Sequence, residues 1–209
     1  MPVTTKKKNT PWPKYEAEAQ DGRRQRNGRS RRQIIEALFD LMHDGDMNPT
    51  AVAVAERAGV GLRTVFRHFE DMESIFEEMT EELKLVIMPK VVAPFEATSW
   101  RARLMELARR NASIYEQVFP MQVALVLRRF QSKVLQQQYK NEVSLLRSSL
   151  KSILPKQVVE NRALFAALEV NLTFATWRRL REDQKLSVEN AKATLELILN
   201  ALIAEIDID

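Results

Sequence analysis

Thr50 to Phe69 reads TAVAVAERAGVGLRTVFRHF, and the fold follows from how these twenty residues must pack. Two short helical segments meet at Ala58-Gly59-Val60-Gly61. Ala55 and Ala58 are small enough to let the segments approach closely, and Gly59 can take the positive φ that a sharp turn between them demands. Val60, Val65 and Phe69 are spaced to anchor the second segment against the first. Arg63, Thr64, Arg67 and His68 are then left on surfaces that can point away from the core. This is the layout of a helix-turn-helix. A guanidinium fork suits guanine edges and phosphates, and a threonine hydroxyl can donate to a phosphate. An ordinary helical hairpin with a solvated basic face has the same pattern, so the flanking sequence has to separate the two.

Upstream, Ser30 and Gln33 have the spacing of a capping box, which predicts a first helix opening at Ser30. Ile34, Ile35, Leu38, Leu41 and Met42 give it one apolar stripe, and Asp44-Gly45-Asp46 stops it. Thr50 is a good N-cap for the next helix. Downstream, Asp71 caps a fourth helix with Glu73 in its first turn. Met72, Ile75, Phe76, Met79 and Leu83 form that helix's apolar face, and Pro89 and Pro94 bracket its exit. The helical period continues over about 99–117, 120–129, 132–153, 157–181 and 187–206, with breaks at Phe119-Pro120, Leu154-Pro155 and Asp183 to Ser187. No strand-like alternation persists. The expected fold is all-α: a basic arm (1–29), a three-helix helix-turn-helix domain (30–70) and a helical regulatory and dimerisation domain (71–209), joined by a connecting helix (71–88).

The charge is lopsided. Residues 1–32 hold ten Lys and Arg against three acids, while the whole chain carries only +4. A basic tail on a near-neutral body suits a polyanion-binding protein, although a merely solubilising tail has the same composition. Directly ahead of a basic, aromatic second helix, it favours DNA. The absence of cysteine among 209 residues removes disulfides, thiolate metal sites and cysteine nucleophiles. His43 and His68 have no ligand cluster beside them. The five glycines build neither a dinucleotide fingerprint nor a phosphate loop nor a nucleophile turn. No catalytic residue, metal or cofactor is therefore expected. The basic N-terminus has no apolar stretch behind it and the longest apolar run is interrupted, so a cytoplasmic protein without a membrane partner is expected.

Residues 30–88, and above all ERAGVGLRTVFRHFEDMESIF from Glu56 to Phe76, resemble the DNA-binding domain of the tetracycline-repressor (TetR) family of bacterial transcriptional regulators. Members typically carry A-G-V-S, then T-[LV]-Y-x-H-F, then a capping residue and a fourth helix. TWRRLREDQKLS (Thr176 to Ser187) is similar to the turn between the last two helices of some members. The resemblance implies DNA contacts from Thr50, Gly61, Leu62, Arg63, Thr64, Phe66, Arg67 and His68. The preceding basic residues Arg29, Arg31 and Arg32 add to these. His68 could instead simply cap its helix. The sequence departs from the family at four positions: Gly61 replaces the usual serine, Leu62 and Met72 replace frequent lysines, and Phe66 replaces a tyrosine. Each change removes a phosphate donor, so the arm is expected to carry an unusual share of the affinity.

A helix-turn-helix is generally used as a dimer on two half-sites. Val188, Ala191, Leu195, Ile198 and Leu202 make a narrow seam, and Leu164, Leu168, Leu172 and Ala175 make another. Together they suit a four-helix bundle between two copies, though both could face the subunit's own core. Residues 99–153 are expected to enclose an effector pocket. Trp100, Met105, Tyr115, Phe119, Met121, Phe130 and Trp177 could line it, and Asn111, Glu116 and Arg128 could be polar anchors. Each is equally suited to plain core or surface. A small apolar or amphipathic effector is the expected ligand. The function expected is a ligand-responsive repressor on a palindromic double-stranded operator. Two rivals stay open: an architectural protein with little sequence preference, and an enzyme with a DNA-binding appendage.

Overall fold

Thr50 shows how the head is assembled. Its hydroxyl accepts the Ala53 amide at 3.2 Å and so opens α2 (Ala51–Ala58), as an N-cap threonine should. This computed structural model describes residues 22–206, and among them every regular element is helical. Gly59 ends α2 in the left-handed region, at φ 66°, with its amide turned back onto Ala55 and Glu56. α3 (Leu62–His68) follows, capped by the backbone of Gly61 alone. Asp71 and Ser74 then form a reciprocal capping box at the start of α4 (Met72–Val91).

α1 spans Gly22–His43. The helix does not open at Ser30, which lies well inside it. The four arginines and one glutamine of residues 22–29 are good helix formers and outweigh Asn27 and Gly28, so the turn propagates backward from the anchored stripe. The rest of the arm, residues 1–21, lies outside the described residues. Besides the expected stripe, Ala37 and Phe39 are buried, because α1 packs against α5 as well as against α2, α3 and α4.

The body begins with α5 (Trp100–Arg128), opened by Ser99. It runs unbroken through Pro120, where a break was expected. An interior proline costs about 3 kcal/mol, but the residues around it are fixed in two cores at once. Leu104, Leu107 and Ala108 belong to the lower core, while Val118, Met121, Ala124 and Leu125 complete the core of the head. Pro89 likewise lies within the last turn of α4 rather than at its exit.

α6 (Lys133–Ile153) returns antiparallel and is capped by Ser132. The single helix expected over 157–181 is four short pieces: α7 (Lys156–Glu160), α8 (Arg162–Asn171), α9 (Phe174–Arg178) and one π-helical turn (Arg179–Asp183). Asn161 and Thr173 interrupt it. Each offers its side-chain oxygen to an amide three residues on, which terminates one piece and starts the next. α10 (Val188–Ile203) closes the fold, capped by Ser187. Leu168, Leu172, Leu199 and Ile203 join α8 and α10 to the lower core.

Candidate nucleic-acid interface

α3 is anchored by one row of residues and open on the opposite side. Val65 is 0% exposed and Phe69 is buried beside it, both packed among Ile34, Leu38, Val54 and Ile75. Leu62, Arg63, Phe66 and Arg67 are exposed, and Thr64 is half-buried. Phe66 keeps 51% of its surface in solvent although it stands one residue from the core. A phenylalanine held that open leaves about half of its apolar surface in water. Arg63 and Arg67 make no ion pair among the described residues. The open side of α3 therefore presents two guanidinium forks interleaved with two apolar side chains. Thr50, also exposed, spends its oxygen lone pair on Ala53 and keeps its O–H free to donate outward.

The other expected contacts lie elsewhere. Arg31 is a brace inside the head. Its Nε donates to Glu78 Oε1 of α4 at 2.5 Å, a second nitrogen donates to Glu78 Oε2, and Nη1 donates to the His68 carbonyl at 2.7 Å. Its guanidinium lies 4.4 Å from the Phe69 ring centre. One side chain thus ties α1, the end of α3 and α4 together, and its bond to Glu78 holds it more firmly protonated than usual. Arg32 faces Glu36 and Glu82. Arg29 is exposed on α1. His68 is half-buried, and its Nε2 is buried without a hydrogen-bond partner. Burial, then Arg67, then Arg31 push its protonation below the ordinary histidine range. These influences favour the neutral ring in the free protein. Gly61 is exposed, and a Cβ built there meets no heavy atom within 4 Å.

The body holds a half-open cavity of about 430 Å³ between α4, α5 and α6. Of the residues expected to line it, Tyr115 does, and so does Asn111 of the expected polar anchors. Both donate to the Leu172 carbonyl, at 3.0 and 3.3 Å. Trp100, Met121 and Trp177 are buried in the cores instead. Met105 and Phe119 are half-buried against the two body cores, and Phe130 is 76% exposed beside Arg129 on the turn after α5. Glu116 accepts from Trp177 Nε1 and Arg181, and Arg128 donates to Asn48 in the head. The walls sequence reasoning missed are those of α4 and α6, among them Leu83, Ile87, Leu146 and Glu142. The two long helices show their amphipathic period, but no sequence signal says that their apolar faces stand apart around a void.

The expected seam residues Leu168, Leu172, Ala191 and Leu195 are buried in the protomer's own cores. Leu164, Val188, Ile198 and Leu202 are half-buried. The outward faces of α8 and α10 carry a different set: Ala163, Ala166 and Val170, and Ala193, Leu197, Ala201 and Ala204, all exposed.

Residues 34–79 match the model of a family described as bacterial regulatory proteins, tetR family. No curated protein matches the chain significantly. Among solved structures, a transcriptional regulator from Rhodococcus sp. Rha1 has TM-score 0.62 at 14% identity, over 88% of this chain and 98% of its own. A protein from Rhodococcus sp. described as a TetR-family transcriptional regulator scores 0.59 at 16% identity, over 83% and 98%. A Clostridium perfringens protein described as a fatty acid metabolism regulator scores 0.59 at 16% identity, over 85% and 100%. At such identities the likeness is one of fold, and it takes in the head and the body together.

Proposed function

We propose, for a chain that is a tetR-family DNA-binding regulator by its N-terminal head and its helical fold, that it is a ligand-responsive repressor acting as a homodimer on a palindromic operator. The open side of α3 carries this reading. Arg63 and Arg67 are placed for guanine edges or phosphates, and Leu62 and Phe66 for the C5 methyl of thymine, the one apolar group on the major-groove base edges. Thr50 supplies a backbone donor that fixes register without reading sequence.

Two copies meet, in this reading, through the outward faces of α8 and α10. Val170 is 56% exposed and Leu197 71%, and the alanines around them let helices from two copies approach closely. α4 links ligand to operator. Its first half, Ile75, Phe76 and Met79, is buried in the head core, while its second half lines the cavity. A ligand that fits better when α4 is displaced shifts the population away from the DNA-competent arrangement, by no more than its differential affinity for the two states.

The test is selection of bound sequences from random duplex DNA, followed by titration of the winner at two salt concentrations. A palindrome with fixed half-site spacing is expected. Binding without enrichment that collapses in salt would make this an architectural protein instead. Remaking the winning duplex with deoxyuridine in place of thymidine removes only the methyls, and should weaken binding about fourfold per methyl contact, from ~0.8 kcal/mol for a buried methyl-sized group. Gly61→Ser, for which there is room, should strengthen binding about fivefold on all sequences alike, from ~1 kcal/mol for one added phosphate hydrogen bond. An unchanged affinity would mean that the start of α3 does not approach the backbone.

A further inference from the structure

We infer that the body cavity takes a small molecule with an apolar tail and one cationic, ammonium-type head, the head seated on Glu142. This deepens the ligand-responsive reading above and rests on it only for the claim that the ligand regulates. The walls are chiefly aliphatic, among them Leu83, Ile87, Ile114, Val118 and Leu146, which suits a hydrocarbon tail. Two ionisable side chains of opposite sign border the void, Lys84 and Glu142, and they are not equivalent.

Lys84 already has an acidic partner, although the pair is exposed. Its ammonium lies 2.5 Å from Glu81, one turn away on α4. Glu142 has no such partner. Its carboxylate accepts one uncharged donor, Gln122 Nε2 at 3.0 Å, and no cation lies within ion-pair distance of it among the described residues. Lys84 and Arg129 act on it only from farther off. Arg129 is spread over the rings of Tyr139 and Phe130, 3.7 and 4.7 Å from their centres.

Glu142 is also an unusual kind of carboxylate. It is exposed at the rim of the cavity, and the surrounding protein still removes enough water that loss of hydration, the strongest influence on it, pushes its protonation above the ordinary carboxylate range. Its carboxylate borders the half-open, mostly aliphatic cavity. Burial first, and the Glu142 charge second, hold the Tyr115 hydroxyl protonated. A carboxylate at the rim of an apolar cavity, without a cation beside it, attracts a positively charged group that enters there. An ammonium head would satisfy it, with the Tyr115 ring on the cavity wall as a second favourable surface for positive charge.

The test uses three probes that share a tail and differ in the head: octylammonium, octan-1-ol and octanoate, titrated calorimetrically into the full chain at pH 7. Octylammonium is expected to bind at least about tenfold more tightly than the other two. Glu142→Gln should bring it to the level of octan-1-ol, with helicity unchanged by circular dichroism. Glu142→Asp, which keeps the charge, should keep the order of the three. Stronger binding of octanoate would put Lys84 in charge of the site and overturn the inference. Equal binding of all three, absence of binding by all three, or a cation preference that survives Glu142→Gln would overturn it as well. Operator affinity measured with and without saturating octylammonium separates the two claims. Tight binding that leaves operator affinity untouched keeps the site and sinks the regulatory reading.

Discussion

Arg63→Ala is expected to weaken binding to the selected operator roughly 5- to 150-fold, the ~1–3 kcal/mol that one bidentate base contact supplies. The loss should be largest for the selected sequence, so preference at one half-site position relaxes. Stability should stay within about 0.5 kcal/mol, as for surface substitutions that touch nothing, because Arg63 is exposed and has no ion-pair partner among the described residues. Arg31→Ala is expected to do the reverse. It removes the bonds from α1 to Glu78 and to the His68 carbonyl and uncovers the Phe69 ring. Charge-assisted hydrogen bonds are worth ~1.5–3 kcal/mol. The pair is partly solvated, with 42% and 26% of the two side chains exposed, so screening reduces the figure to about 1–2 kcal/mol. At roughly 2–4 °C per kcal/mol for a chain of this size, the melting temperature should fall by several degrees. Operator titration and thermal unfolding of both variants, at one protein concentration, check the assignment. A stable Arg31→Ala that fails to bind DNA would make Arg31 a contact after all.

That pair of arginines shows what the sequence makes legible and what it does not. Both lie in basic, helical surroundings, and nothing local distinguishes them. Arg31 becomes structural because α4 returns past α1 and brings Glu78 to it, a separation of 47 residues that no periodicity reports. What depends on local spacing was legible: the caps at Thr50 and Asp71, the turn at Gly59, and the buried row Ile34, Ile35, Leu38 and Met42. Pro120 was misread because its local cost is real but smaller than the packing on both sides of it. Phe130 was read as a possible pocket wall from its type, whereas it stands exposed on the turn after α5.

The turn between α5 and α6 also ties the body to the head. Arg128 donates to Asn48, just before α2, at 2.6 Å and lies 4.0 Å from the Phe76 ring centre. Ser132 donates to Glu73 in the first turn of α4. The head is thus held at three places by body residues: through the α5 side chains in its core, through Arg128 and through Ser132. The cavity lies between the same α4, α5 and α6. The same helices that border the cavity thus hold both edges of the head.

Trp177→Ala is expected to cost about 3–5 kcal/mol of stability, the largest single effect among these predictions. Trp177 is 0% exposed and packs with Ala112, Leu180, Ala191 and Leu195 where α5, α9, the π-helical turn and α10 meet. Its indole N–H donates to Glu116 Oε1 at 2.9 Å, and the same carboxylate receives Arg181 at 2.7 Å. Arg181 in turn donates to the Leu186 carbonyl, which closes the loop leading into α10. Truncation removes the ring and leaves a void. It also frees one bond of a carboxylate that organises the only approach to the last helix. Trp177→Phe separates the two contributions. It keeps most of the apolar volume and loses the hydrogen bond, so about 1–3 kcal/mol is expected. Glu116 keeps Arg181, so the loop should survive in that variant. Urea unfolding at fixed protein concentration measures both costs, the fixed concentration being needed because any dimer contributes to the apparent stability. Trp177 does not line the cavity, so octylammonium binding at 20 °C should be unchanged in Trp177→Phe. A loss of ligand binding without a loss of stability would move Trp177 from the core to the cavity wall.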